Sequence, residues 1–127
     1  MVEIPDSHPR KISLLSRQKI VEGSIRGLLA ESAMIAHGRG EAFDYLLGER
    51  TTESAGSAIR ETAARLMAAN HPVISVNGNT VLLAGKRALR LAAVLGCAVE
   101  VNLYYRSPER VNGLLALLEE QRILVSD

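Results

Sequence analysis

A mixed α/β fold is predicted by two observations along the chain. Up to about residue 70 the apolar residues recur at helical spacing, and from Val73 onward short β-branched runs alternate with helical segments. Helices followed by a strand–helix–strand order imply a small parallel sheet with right-handed crossovers. The 127 residues suit one domain, with a helical N-terminal part (1–70) and a β-α-β-α-β, Rossmann-like part (71–127).

Residues 5–10, Pro-Asp-Ser-His-Pro-Arg, form an extended arm or turn, because Pro5 and Pro9 fix φ and remove two backbone donors. Ser13 is the N-cap of a helix over about residues 13–31. Ile20, Val21, Ile25, Leu28 and Leu29 fall near one face of it, and Leu14 and Leu15 lie ahead of them. Arg17, Lys19, Glu22 and Arg26 are on the polar side. Gly23 and Gly27, four apart, would admit a close helix neighbour.

A second, shorter helical segment spans Ser32 to Leu47, broken at Gly38 and Gly40. The two glycines flank Arg39. Glycine lets backbone N–H groups converge on an anion, arginine adds a fork of donors, and a helix beginning near Glu41 would aim its positive end there. Gly38-Arg39-Gly40 therefore reads as a phosphate cradle, or else as an ordinary loop with Arg39 tied to Glu41 or Asp44. Gly48 ends the segment as a C′ glycine, and Thr51 or Thr52 caps the next helix. That helix carries an apolar stripe of Ile59, Ala63, Leu66 and Met67, and Asn70-His71-Pro72 stops it.

Val73 to Asn77 reads as a buried strand and Asn77-Gly78-Asn79-Thr80 as the turn after it. A helix over about residues 84–95 ends at Gly96, and Ala98 to Tyr104 supplies the second strand. Ser107-Pro108-Glu109 starts a further helix, with serine as N-cap and proline at the first position. Ile123-Leu124-Val125 begins a third strand. That strand would leave an open sheet edge, so the chain is expected to be a shortened form of something longer, or to have its edge covered by another chain. Ligands of such sheets bind outside the carboxyl ends of the strands, here Asn77-Gly78-Asn79 and Asn102 to Arg106. Amides there suit a small polar substrate, or simply shape the turn.

The totals exclude several classes. A formal charge of +1 does not fit a nucleic-acid binder, and Lys86, Arg87 and Arg90 read as a solvated helix face. No apolar run is long enough for a membrane span, and no signal peptide is apparent. The single Cys97 fits a reducing cytoplasm. No Walker loop or dinucleotide fingerprint is present, since Phe43 stands where the third glycine would be. His8, His37 and His71 have no ligand spacing with Cys97, so no metal site is expected.

Six segments taken together are more specific. They are Ile4 to Arg10, Leu15 to Gly23, Gly38 to Glu49, Asn70 to Thr80, Glu100 to Arg106 and Glu109-Arg110-Val111. In this order and spacing the chain resembles the archaeal phosphopantothenate synthetases, the 4-phosphopantoate–β-alanine ligases, over nearly its whole length. The resemblance implies an ATP-dependent ligase of coenzyme A biosynthesis. In such an enzyme 4-phosphopantoate is activated as an acyl-adenylate with release of pyrophosphate, and β-alanine then displaces AMP. It implies Mg²⁺ held largely by the nucleotide, and a homodimer. It assigns ATP binding to Arg17 and Arg39. Asn77, Gly78 and Asn79, with Glu100 and Asn102, would belong to the substrate pocket, and His8, Arg10 and Arg106 would be further phosphate contacts. Members of that family are about twice as long, and their second half carries further nucleotide-binding residues. A different reading is a non-catalytic phosphate-ligand-binding or assembly module that keeps the fold alone.

Overall fold

The computed structural model describes residues 3–126; Met1, Val2 and Asp127 lie outside the described residues. Five helices and two strands follow in the order α1 (Lys11–Ile25), α2 (Glu31–Leu46), α3 (Glu53–Ala68), β1 (Val73–Val76), α4 (Gly78–Leu95), β2 (Ala98–Val101) and α5 (Pro108–Ser126). The mixed α/β class holds, with helices first and a parallel sheet after them. β1 and β2 pair in parallel, Val73 opposite Ala98 and Val76 opposite Val101.

The third strand is not there. Ile123-Leu124-Val125 forms the last turn of α5, so the sheet has two strands and β-α-β is followed by one long helix. Glu119, Glu120, Gln121 and Arg122 carry the helix forward without a breaker, and Glu119 pairs with Arg122 one turn on. That guanidinium holds the Glu119 carboxyl below its ordinary range. The strands are half-buried rather than buried. Val76 is enclosed and Ile74, Val99 and Val101 are partly covered, whereas Ser75 and Glu100 look outward and share a 2.8 Å hydrogen bond.

α4 is the hub. It packs on both strands and on α1, α2 and α5. Its close contact with α1 uses Gly23, where a Cβ would stand 2.3 Å from Leu82 Cδ1. Gly27 plays no such part, because α1 stops at Ile25 and Gly27 turns the chain at φ +72°. Leu28 and Leu29 therefore enter the core from a loop, not from a helix face. Leu28, Val76, Val81, Leu114 and Leu118 form the core, wrapped by Ile74, Leu89, Val99 and Val101 among others.

α4 begins six residues earlier than the periodicity suggests. Asn77 is its N-cap, and its Oδ1 accepts from the Thr80 N–H and the Thr80 hydroxyl, both at 2.9 Å. Asn77→Ala removes that cap and is expected to lower stability by about 1 kcal/mol, measured as a fall in the urea midpoint at constant slope. α1 is capped by Arg10 rather than Ser13, and the Arg10 side chain makes no capping hydrogen bond. Thr52 caps α3, its Oγ1 accepting from the Ala55 N–H at 3.2 Å. The stripe of α3 stays largely uncovered, with Ile59 and Met67 exposed, and the helix stands off from the others.

Candidate functional site

The expected phosphate cradle at Gly38-Arg39-Gly40 does not form. α2 runs unbroken from Glu31 to Leu46, so these N–H groups are spent on helical hydrogen bonds and cannot converge on an anion. Neither glycine has a positive φ. The break comes at Gly48, φ +84°, where the Gly48 N–H donates to the Tyr45 carbonyl and the Glu49 N–H to the Asp44 carbonyl, a Schellman closure.

The concave site lies instead where α2, α4 and α5 begin. A cleft of about 330 Å³ has Leu28, Leu29 and Leu103 with Ala33 and Ala36 as apolar walls. Its polar groups are Ser32, Asn77, Asn79 and Arg110, and Tyr104 and Tyr105 stand at its margin, their rings edge to face at 5.0 Å. Three helix N-termini meet around this space, each carrying a partial positive charge, with the Thr80 and Arg110 N–H groups already taken by their caps. Gly78 is buried at the first position of α4. A Cβ there would meet Leu29 Cδ2 at 2.4 Å and the Leu28 carbonyl at 3.4 Å, so a larger residue would push the Leu29 side chain away from the helix end. Asn79 Nδ2 donates to the Ala33 carbonyl at 3.1 Å and ties α4 to α2, while its Oδ1 is buried with no partner. Arg110 Nη1 donates to the Tyr105 carbonyl, and Arg110 Nε is buried and unpaired.

The other expected site residues fall outside this cleft. Arg17 bridges α1 and α2: its Nη1 donates to the Met34 carbonyl at 2.7 Å and lies 3.4 Å from His37 Nδ1. His37 in turn stands 3.7 Å from Glu41 Oε2. Arg39 is exposed and makes no hydrogen bond or ion pair among the described residues. Arg10 lies 3.3 Å from Glu49 Oε1 and 5.0 Å from the Tyr45 ring centre, and its N–H donates to His8 Nδ1. Glu100 is on the open face of the sheet with Ser75. The Asn102 N–H extends the ladder to the Val76 carbonyl, and Arg106 reaches the Val101 carbonyl at 3.5 Å. Sequence reasoning brought Asn77, Gly78 and Asn79 to the cleft, and with the Asn102 to Arg106 stretch also Leu103, Tyr104 and Tyr105, and passed over Ser32 and Arg110. Arg110 carried a legible signal: a cation in the first turn of a helix opposes the helix dipole and needs another reason to be there.

Comparison with known proteins gives a consistent result. Residues 54–125 match the family model described as phosphopantothenate/pantothenate synthetase. The chain is 55% identical over 111 residues to a 4-phosphopantoate–β-alanine ligase of Thermococcus kodakarensis, covering 87% of this chain and 42% of that one. It is 52% identical to the ligase of the same name from Thermococcus onnurineus, covering 96% and 46%. The corresponding figures for that of Methanospirillum hungatei are 52% identity, 94% and 49%. The chain thus spans about half the length of the curated relatives it matches.

Proposed function

The chain belongs to the phosphopantothenate/pantothenate synthetase family, and from that membership we propose that it carries part of the active site of a 4-phosphopantoate–β-alanine ligase. The observation that supports this best is the cleft at the three helix N-termini, because the acid substrate of such a ligase is a small branched anion. Its hydroxyl and phosphate need amide, N–H and guanidinium partners, and its aliphatic middle needs apolar walls. Asn77, Gly78 and Asn79 supply the first kind and Leu28, Leu29 and Leu103 the second.

The reaction runs in two displacements. A carboxylate oxygen of 4-phosphopantoate attacks the α-phosphorus of ATP, and pyrophosphate leaves. The amine of β-alanine then attacks the acyl carbon, AMP leaves, and the nitrogen gives up a proton. Arg17 and Arg39 are the ATP contacts in this scheme. Arg17 is held in place by the Met34 carbonyl, so its charge is oriented before the nucleotide arrives, which is how fixed cations lower the barrier to charge transfer. ATP would bring Mg²⁺ with it. Among the described residues no three His, Cys, Asp or Glu side chains come together to hold an ion. The protein works as a homodimer on this reading, with the exposed apolar residues of α1 and α2, such as Ile12, Ile25 and Leu46, as material for the contact.

The test is AMP release from ATP by the purified chain, with 4-phosphopantoate and β-alanine. The expected result is AMP that depends on both co-substrates. A folded chain that forms no AMP would not be a ligase by itself. If it still bound 4-phosphopantoate it would be a binding module with the family fold.

A further inference from the structure

We infer that His37 is a positioning residue for Arg17: its bare Nδ1 accepts from Arg17 Nη1 and so holds the guanidinium with its Nε–Nη2 edge left for a phosphate of the nucleotide. The inference rests on the reading of Arg17 as a nucleotide contact and names what sets that arginine's orientation. Three observations carry it. Arg17 Nη1 has two hydrogens and two acceptors within reach, the Met34 carbonyl at 2.7 Å and His37 Nδ1 at 3.4 Å, so this nitrogen is spent on the protein. Arg17 Nε and Nη2 make no hydrogen bond or ion pair among the described residues, and two such parallel donors are the edge that meets a phosphate bidentately. The His37 side chain is only 9% exposed, and Met34 and His37 are one turn apart on α2, so both anchors belong to one rigid stretch.

Hydrogen-bond chemistry decides where the imidazole carries its proton. A guanidinium only donates, so the ring nitrogen that faces it must be bare, and the proton goes to Nε2. Glu41 makes the opposite demand. Its Oε2 stands 3.7 Å from the same Nδ1, and a carboxylate only accepts, so it would be served by a proton there. Nδ1 cannot answer both. Arg17 Nη1 is the nearer of the two, and the Met34 carbonyl on its other hydrogen fixes it against the ring. A ring given over to Glu41 would leave Arg17 on a single anchor, able to turn about it, and the edge meant for a phosphate would lose its direction.

The experiment joins a spectroscopic reading to ATP binding, both on the full chain. Long-range proton–nitrogen correlation spectra are expected to show His37 with its proton on Nε2 and none on Nδ1; a proton on Nδ1 overturns the inference. ATP affinity is measured by calorimetry for the wild type, His37→Asn, His37→Gln and His37→Leu, with circular dichroism to establish folding. Asparagine sets an amide oxygen close to the place of Nδ1, glutamine sets its amide near that of Nε2, and leucine has no acceptor. His37→Leu and His37→Gln are expected to weaken ATP binding about tenfold, while His37→Asn stays within about threefold of the wild type. Equal losses in the three variants, or no loss in any, overturn the inference and leave the ligase reading to the AMP assay. A folded wild type that binds no ATP overturns the inference, and one that also forms no AMP takes the ligase reading with it. Should His37→Leu fail to fold, His37→Gln against His37→Asn decides, because a role in packing alone does not favour the amide at Nδ1 over the amide at Nε2.

Discussion

Leu114→Ala lowers the stability of the fold by about 2–5 kcal/mol. Leu114 is completely buried in the middle of α5 and belongs to the cluster of Leu28, Val76, Val81 and Leu118. These neighbours come from a loop, a strand and two helices, so they cannot collapse together into the space of a lost isobutyl group, and the hole persists. The measurement is chemical denaturation, in which the midpoint falls and the slope stays constant. Ile123→Ala is the matching control. Ile123 is on the same helix but more than half exposed, and its loss should stay within about 0.5 kcal/mol. Leu114 Cδ1 also lies 3.8 Å from where a Gly78 Cβ would be, so the damage reaches the floor of the cleft.

Arg39→Ala behaves in the opposite way. The side chain is exposed and unpaired among the described residues, so its removal leaves stability within about 0.5 kcal/mol of the parent. If it contacts the nucleotide as proposed, ATP affinity or kcat/KM falls by about 2 kcal/mol, roughly thirtyfold. Arg17→Ala should move both quantities, because Arg17 also ties α1 to the Met34 carbonyl of α2. A pair of variants that lost stability equally, with ATP dependence unchanged in Arg39→Ala, would remove Arg39 from the site.

What could be read from the sequence was written in local chemistry. Ser107-Pro108 starts α5, its serine Oγ accepting from the Arg110 N–H at 3.2 Å, and Gly96 closes α4 in the left-handed region. Thr52 and Gly48 act within a few residues of themselves in the same way. The misreadings share a different cause. Ile123-Leu124-Val125 has the composition of a strand, but a strand needs a partner edge, and a helix already under way needs only the absence of a breaker. Gly38 and Gly40 read as a break, yet no proline accompanies them, and the alanines and glutamates around them sustain a helix. Asn77-Gly78 suggests a turn, and the asparagine does turn the chain, but into a helix at once. For the site, Asn77 to Asn79 were legible from their place after a strand. Arg110 was not sought, because its partners, Tyr105 and the cleft, come together only when α5 packs on α4.

The unbroken course of α2 has a consequence for the energetics of ligand capture. Two glycines inside a helix cost roughly 1 kcal/mol each relative to alanine, and α2 buries no residue fully to offset them. Among the described residues its tertiary hydrogen bonds are few: Arg17 to the Met34 carbonyl and His37 Nδ1, and Asn79 to the Ala33 carbonyl. Such a helix opens at a lower free energy than the core beneath it. It carries both Ala33 and Ala36 of the cleft and Arg39, so local opening of α2 would take all three from a ligand at once. The first ligand to settle α2 then leaves less disorder for the second to remove. Two ligands that both rest on α2 would in this way favour each other's binding through a shared wall, without touching.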